Sequence, residues 1–541
     1  MALHESFELR RAVMTADGYW RDETLLDHFG RHVARDPQKI ALIAKRSETG
    51  VEESFTYADL DRLSDNLAVA LARLGVGEGD VVSFQLPNWR QFTLLHLAAL
   101  KLGAISNPMM VIFRERELKF MLGLAESKVF VVPASFRRFD HAALARSIQP
   151  ELPSLRHILV IDGQGAEAFD PLFDIVPTPA ELAALRARKL SPDAIIQLLY
   201  TSGTTGEPKG VLHSSNTMLS NLDPYAERLG LGREDVIHMA SPMAHQTGFM
   251  YGLVLPILLG ARAVLQDIFE AEEMARQIAK HGATFTMGAT PFLNDLAEYV
   301  ERTHEATPSL HIFLSAGAPI PRPLVLKARK ALGSAIVSAW GMSENGAVTT
   351  TKLDDPEEKI TGTDGCALPG MEVRVVDLAG EPAPVGEEGP LQVRGCSNFL
   401  GYFKRPGVAN ISQDGWFDTG DLARVDADGY IRITGRAKDI IIRGGENIPV
   451  VEIEGLLFKH PAVQTVAIVG YPDARMGERA CAFVTLREGA TLTFDEMVAF
   501  LKSQQVAMQY IPERLEILPD LPRTPSGKIQ KFKLRDAVKG A

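Results

Sequence analysis

The sequence predicts an α/β protein. It has a large N-terminal domain of parallel-sheet α/β subdomains, closed by a β-rich subdomain, and a small α/β C-terminal domain. Three observations carry this expectation. Over residues 24–130, short apolar runs alternate with segments of helical spacing, the rhythm of strand–helix–strand units under a covered parallel sheet. From about Gly370 the pattern becomes short alternating segments such as Met371–Asp377. Beyond a polar crossing at 436–439, strand and helix patterns resume and run on to the end. The 541 residues allow more than one domain. The expected division is 1–435, with the β-rich subdomain from about 370 to 435, then a connection at 436–439 and a second domain at 440–541.

The elements follow in order. Leu60, Leu63, Leu67, Ala68, Leu71 and Leu74 mark one apolar helical face from Asp59, and Gly75 ends that helix. Val81–Leu86 reads as a strand. Another helix runs to about Leu102, and Gly103–Pro108 opens the next strand region. Residues 163–192 are rich in Ala, Pro, Asp and Glu and read as a surface connection. Phe249–Leu265 reads as buried helix and strand. It is too short, and too interrupted by Gly252, Pro256, Gly260 and Arg262, to span a membrane. Asp428–Gly429 is a hairpin turn signal between Leu422–Asp426 and Tyr430–Thr434. In the last hundred residues Glu452–His460 and Phe494–Gln505 read as helices and Val463–Gly470 as a strand.

Composition sets bounds on function. Hydrophobic residues make up 46% and charged residues 23%, as in an ordinary globular protein. A net charge of −11 argues against nucleic acid as the main partner. Cys366, Cys396 and Cys481 are scattered with no CxxC pair, which argues against a disulfide scaffold or zinc site and for a reducing, cytoplasmic setting. The first twenty residues lack the apolar core of a signal peptide. A homodimer is compatible with all of this.

The richest stretch is Tyr200–Val211. The apolar run Ala194–Leu199 empties into Thr201, Ser202, Gly203, Thr204, Thr205 and Gly206, followed by Lys209. Glycines let backbone N–H groups turn inward, hydroxyls add donors, and the lysine adds charge, so the loop suits a polyphosphate. It lacks the Gly-Lys-Ser/Thr ending of a Walker A loop. In its residue types and their order, the stretch resembles the phosphate-binding signature of the adenylate-forming superfamily of acyl-CoA synthetases, adenylation domains and luciferases.

The resemblance extends along the chain. Phe313–Ile320 holds Gly317, Ala318 and Pro319, where the family builds a wall of the adenine site. Ala339–Glu344 resembles the aromatic-Gly-x-Ser/Thr-Glu motif, with Trp340 (usually Tyr in the family), Gly341, Met342 and Ser343. It implies adenine stacking on Trp340 and Mg²⁺ on Glu344 with Thr201. Asp418 in the Asp418–Asp421 string corresponds to the ribose ligand; read alone, the string is an Asx turn. Arg436 corresponds to a second ribose contact and Lys438 to a hinge about which a mobile C-terminal domain rotates. Gly444 and Gly445 correspond to the backbone that meets the pantetheine arm of CoA. Lys528, in Pro522–Lys531, corresponds to the mobile lysine of the adenylation step; read alone, this is an exposed basic tail. His245, in Ser241–Phe249, sits where the family carries an aromatic residue or histidine beside the acid.

The implied activity is that of an ATP-dependent, AMP-forming acid–CoA ligase. Its catalytic set is Lys528, Glu344, Thr201 and His245, and its small-molecule partners are ATP with Mg²⁺, a carboxylic acid and CoA. The N-terminal Arg10–Trp20 segment and Ala244–Phe249 look most like short- and medium-chain acyl-CoA synthetases and cyclohexanecarboxylate–CoA ligases. An aryl acid–CoA ligase, an adenylation enzyme that charges a carrier protein, and a luciferase-type enzyme remain as alternatives.

Overall fold

A computed structural model describes residues 7–201, 208–317, 320–377, 379–443, 446–473, 475–524 and 527–539, with the backbone alone at 406, 438, 446, 447 and 539. Two large sheets make up most of the N-terminal part, one of nine strands and one of seven. In the nine-stranded sheet, neighbours from Ile40–Lys45 through Arg262–Gln266, Val236–Met239, Phe285–Gly288 and Ile312–Ser315 to Ala335–Met342 are parallel. In the seven-stranded sheet, His157–Ile161, Val129–Pro133, Val81–Phe84, Ile105–Pro108 and Ile195–Thr201 are parallel neighbours. All five residues of Val129–Pro133 are buried, as expected of a strand covered on both faces.

Antiparallel pairing appears at both edges of the nine-stranded sheet and at one edge of the seven-stranded sheet, and one such edge of each carries the residues of interest. Ala335–Met342 turns back into the antiparallel strand Gly346–Thr350. Ile195–Thr201 turns back into Lys209–Ser214, with Thr201 opposite Lys209. Lys209–Ser214 in turn pairs with Gly401–Tyr402. The segment between Thr201 and Lys209 therefore joins two hydrogen-bonded strands, rather than a strand and a helix.

Local signals account for the helices. Tyr57–Arg73 starts on a capping box between Thr56 and Asp59. Arg90–Leu102 ends on Gly103 at φ +69. The 163–192 segment is more ordered than a surface connection. Thr178 and Glu181 cap a helix at Pro179–Arg186, and Phe169, Phe173 and Leu185 are buried beneath it. Gln246–Phe249 continues through a π-helical turn, Met250–Val254, into Leu255–Leu259. Such widened turns often accompany functional sites.

A four-stranded antiparallel sheet follows, with Met371–Val375, Gly389–Gly395, Phe417–Val425 and Ile431–Arg436 in that order. Its third strand begins at Phe417, so the Asp418–Asp421 string lies within a strand, not ahead of one. A separate C-terminal sheet holds Ile441–Arg443, Val463–Asp473 and Gly477–Leu486. It has its own apolar clusters, centred on Ile453, Val466, Val484 and Leu501 and on Phe483 and Leu534. Among the described residues no helix is long and apolar enough to cross a membrane.

Candidate active site

Glu344 stands in the turn between Ala335–Met342 and Gly346–Thr350. The sequence makes this turn tight. A Cβ on Gly341 would overlap the carbonyl oxygen of Gly346, and Gly346 has φ +67. Asn345 Oδ1 accepts the Met342 amide at 3.1 Å, and the Ser343 carbonyl accepts His213 Nε2–H at 2.7 Å. The turn holds Glu344 at 6% exposure, with Oε1 accepting the Tyr402 hydroxyl at 2.8 Å. Burial pushes the Glu344 pKa up, while the Tyr402 hydroxyl and the charges of Lys209 and Arg436 oppose the rise. Lys209 Nζ sits 4.8 Å from the centre of the Tyr402 ring. The Tyr402 hydroxyl thus bonds the buried carboxylate, and the charges of two cations act on it.

A second buried acid holds Trp340 and Arg436. Asp421, 4% exposed, accepts Trp340 Nε1–H on Oδ2 at 2.9 Å and pairs through Oδ1 with Arg436 Nε at 2.8 Å. This fixes the plane of the Trp340 ring relative to the guanidinium. Asp418 Oδ1 accepts the Gly420 amide at 3.0 Å. The Asx turn is thus present, and a carboxylate has capacity for further donors.

His245 is half-buried and caps Gln246–Phe249, its Nδ1 accepting the Thr247 amide at 3.3 Å. Burial, with a further contribution from the charge of Lys528, lowers its pKa to about 4, so it is neutral at pH 7. Lys528 belongs to a tight turn. Gly527 N donates to Thr524 O at 2.8 Å, and Thr524 N donates to Lys528 O at 2.7 Å. Gly527, at φ +84, lies against the N-terminal part, where a Cβ would come 3.4 Å from Ala289 Cβ and Pro291 Cγ.

Thr201, Lys209, Gly317, His245, Trp340 to Glu344, Asp418, Arg436 and Lys528 all line one cleft of about 2040 Å³. That is well above the roughly 300–1,000 Å³ of a site for a single small ligand. Ser202, Gly203, Thr204, Thr205, Gly206, Ala318, Pro319, Gly444 and Gly445 lie outside the described residues, as does the side chain of Lys438. Sequence reasoning missed three residues with evident parts in this arrangement: Tyr402, Asp421 and His213. Asp421 stood in plain view, three residues after Asp418. Tyr402 gave no local signal, being 58 residues from Glu344.

Comparison with known proteins agrees with this geometry. The profile of the AMP-binding enzyme family matches residues 29–403, and that of the AMP-binding enzyme C-terminal domain matches 452–528. The chain belongs to the AMP-binding enzymes. This AMP-binding enzyme is 38% identical to the medium-chain fatty-acid–CoA ligase of Escherichia coli (strain K12), over 98% of this chain and 93% of that one. It is 32% identical to the 2,3-dihydroxybenzoate-AMP ligase of Bacillus subtilis (strain 168), over 96% and 95%. Its fold superimposes with a TM-score of 0.86 on the anthranilate CoA ligase AuaEII in complex with anthranoyl-AMP, at 26% identity over 96% and 97% of the two chains. ATP-bound MatB from Rhodopseudomonas palustris gives 0.83 at 28% identity, over 96% and 99%. The AMP-binding enzyme is accordingly an AMP-forming acid–thiol ligase.

Proposed function

We propose that this AMP-binding enzyme joins a short- or medium-chain fatty acid, or an alicyclic acid of cyclohexanecarboxylate type, to CoA. The observation that carries the reading is the docking of the Gly527–Lys528 turn against Ala289 and Pro291, with Lys528 on the same cleft as Lys209, Glu344 and Arg436. That is the arrangement an adenylation step needs, because two anions must meet there.

In the first step a carboxylate oxygen of the acid attacks the α-phosphorus of ATP. The bond from that phosphorus to the bridging oxygen breaks, and pyrophosphate leaves with the electron pair. Lys528 offsets the charge of carboxylate and α-phosphate as they approach, and Lys209 with the 201–206 loop holds the outer phosphates. Asp418 and Arg436 orient the ribose, and Trp340 with Gly317 to Pro319 bounds the adenine. Neutral His245 orients the acid. Glu344 fits Mg²⁺: it is a buried hard-oxygen donor on the cleft, and Thr201 adds a hydroxyl. When bound, Mg²⁺ neutralises charge on the phosphate oxygens. In the second step the CoA thiolate attacks the acyl carbonyl and AMP leaves. We take 1–435 and 440–541 as bodies that turn about 436–439 between the steps, withdrawing Lys528 and bringing in Gly444 and Gly445.

An apolar acid is supported by the medium-chain relative and by the cleft floor. Met287, Ala316 and Ala339 line it. The Tyr251 hydroxyl is already committed, accepting Ala347 N–H at 2.8 Å and donating to Asn221 Oδ1 at 3.1 Å. An aryl acid is the second reading, favoured by the likeness to the 2,3-dihydroxybenzoate-AMP ligase. A panel of linear, alicyclic and aromatic acids, assayed for ATP–pyrophosphate exchange and then for AMP release with CoA, tests both. Turnover confined to aromatic acids would overturn the first reading. Exchange without thioester formation from free CoA would point to a carrier-protein acceptor.

A further inference from the structure

The helix Phe7–Ala16 packs far from the phosphate loop in sequence, yet one of its side chains reaches the Glu344 assembly. Arg10 donates from both Nη1 and Nη2 to the carbonyl oxygen of Phe399, each at 3.1 Å. The guanidinium carbon lies 5.1 Å from the centre of the Trp20 ring, and Trp20 Nε1 donates to the Cys396 carbonyl at 2.9 Å. Burial lowers the Arg10 pKa to about 10, which still leaves it charged. An arginine enclosed in this way serves a fixed contact, since desolvating the charge is costly unless it is hydrogen-bonded.

The peptide that Arg10 holds is tied to Glu344 at its other end. Phe399 N donates to the Glu344 carbonyl at 2.6 Å. The Phe399 ring lies 4.8 Å from that of Tyr402, whose hydroxyl donates to the Glu344 carboxylate. Leu400 and Phe403 extend the same segment along Leu212 and Gly210, on the strand that begins with Lys209. Residues 396–403 are thus a short span gripped on one side by Arg10 and Trp20. On its other side it contacts the backbone and the carboxylate of Glu344.

We propose that Arg10 is a positioning residue: acting through Phe399 and Tyr402, it sets the orientation of the Glu344 carboxylate toward the metal–nucleotide complex. The proposal rests on the reading of Glu344 as the Mg²⁺ ligand. Removing the guanidinium leaves the Phe399 carbonyl without its two donors and frees the span to shift. Partners bonded directly to a metal ligand, as Tyr402 is to Glu344, change metal affinity by about 10–100-fold, and Arg10 acts through such a partner.

The test is calorimetric. The dissociation constant of ATP is measured with and without Mg²⁺ for the wild type, Arg10→Ala, Arg10→Lys, Trp20→Phe and the control Arg11→Ala. Arg11 pairs with Asp193 and is not part of the contact to Phe399. The readout is the factor by which Mg²⁺ tightens ATP binding. It is expected to fall about tenfold in Arg10→Ala and less in Arg10→Lys, and to hold in Arg11→Ala. An unchanged factor in a folded Arg10→Ala protein overturns the proposal. So does an equal loss with and without Mg²⁺, the mark of a merely structural brace. If Arg10→Ala gives no cooperative thermal transition, Arg10→Lys and Trp20→Phe decide by the same factor. The assay needs no acid or CoA, so a wild type that shows the Mg²⁺ gain but ligates no acid would sink the proposed function and leave this inference standing.

Discussion

Arg487 Nη1 donates to Glu298 Oε1 at 2.8 Å, and this contact ties the C-terminal domain to a helix of the N-terminal part. The same oxygen accepts Lys327 Nζ at 3.0 Å. Burial works to raise the Glu298 pKa, but the two cations outweigh it and the net shift is downward. The pair forms in the arrangement that docks Lys528, so it should bias the enzyme toward adenylation. Arg487→Ala is expected to slow ATP–pyrophosphate exchange about twofold to fivefold, the worth of a partly exposed ion pair of up to about 1 kcal/mol. Thioester formation from a supplied acyl-adenylate should hold or rise. Equal slowing of both steps would show that the pair supports folding and not the choice of arrangement.

Lys528→Ala separates the two half-reactions more sharply. The Lys528 side chain is exposed, so its replacement leaves the buried core of the domain untouched. Adenylation is expected to fall by about 10²–10³, comparable to removal of one donor at a developing charge. Thioester formation from isolated acyl-adenylate is expected to persist. Single-turnover assays of each step check this, and parallel loss would remove Lys528 from the adenylation role.

The fold class was legible because its signals are local. Apolar runs such as Val81–Leu86 and helix stops such as Gly75 act within a few residues, and the strand Val81–Phe84 and the helix Tyr57–Arg73 appear where these signals place them. Strand order was not legible, since it depends on which apolar faces meet across the chain. Residues 40–56 and 81–133 read as one continuous alternation, yet their strands divide between two sheets. The antiparallel edges were hidden for the same reason. At the site, motif-bearing residues from seven separated stretches converge on one cleft. What sequence could not reveal is pairing at a distance: Tyr402 with Glu344, or Trp340 with Asp421. Each such pair is specified by packing, so the motif that marks Glu344 and Trp340 does not point to the partner.

Glu344 should impose a pH dependence on nucleotide binding. Its folded pKa is raised above the usual carboxylate value, chiefly by burial. A cation at the carboxylate competes with that proton, so Mg²⁺–ATP affinity should strengthen as pH rises through the raised value and then level off. Glu344→Gln should flatten this limb and weaken Mg²⁺–ATP binding at neutral pH, while ATP binding without Mg²⁺ changes little. Calorimetric titrations between pH 4.5 and 8 measure it. An identical pH limb in the glutamine variant would assign the proton to another group.

Acid stability follows from the histidines. Burial lowers the pKa of His96 to about 3 and those of His213 and His238 to about 4. Between these values and the unfolded value near 6.5, the unfolded chain binds protons that the folded chain refuses. Stability is therefore full above pH 6.5 and falls as pH drops toward 4, by up to about 1.4 kcal/mol per pH unit for each such group. Glu344 and Asp364 act in the opposite sense. Their folded pKa values are raised by burial, so their contribution is present at low pH and lost as pH climbs through those values. The lowered pKa values of His28, His141 and His245 add to the fall, so the melting temperature should decline between pH 6.5 and 4. His213→Asn is the informative variant. It gives up the hydrogen bond to Ser343 and loses stability at pH 7, but its decline on acidification should be shallower by one histidine's share. Scanning calorimetry at half-unit intervals reads both effects. A parallel slope in the variant would mean that His213 is protonated in the folded state and that burial does not control its charge.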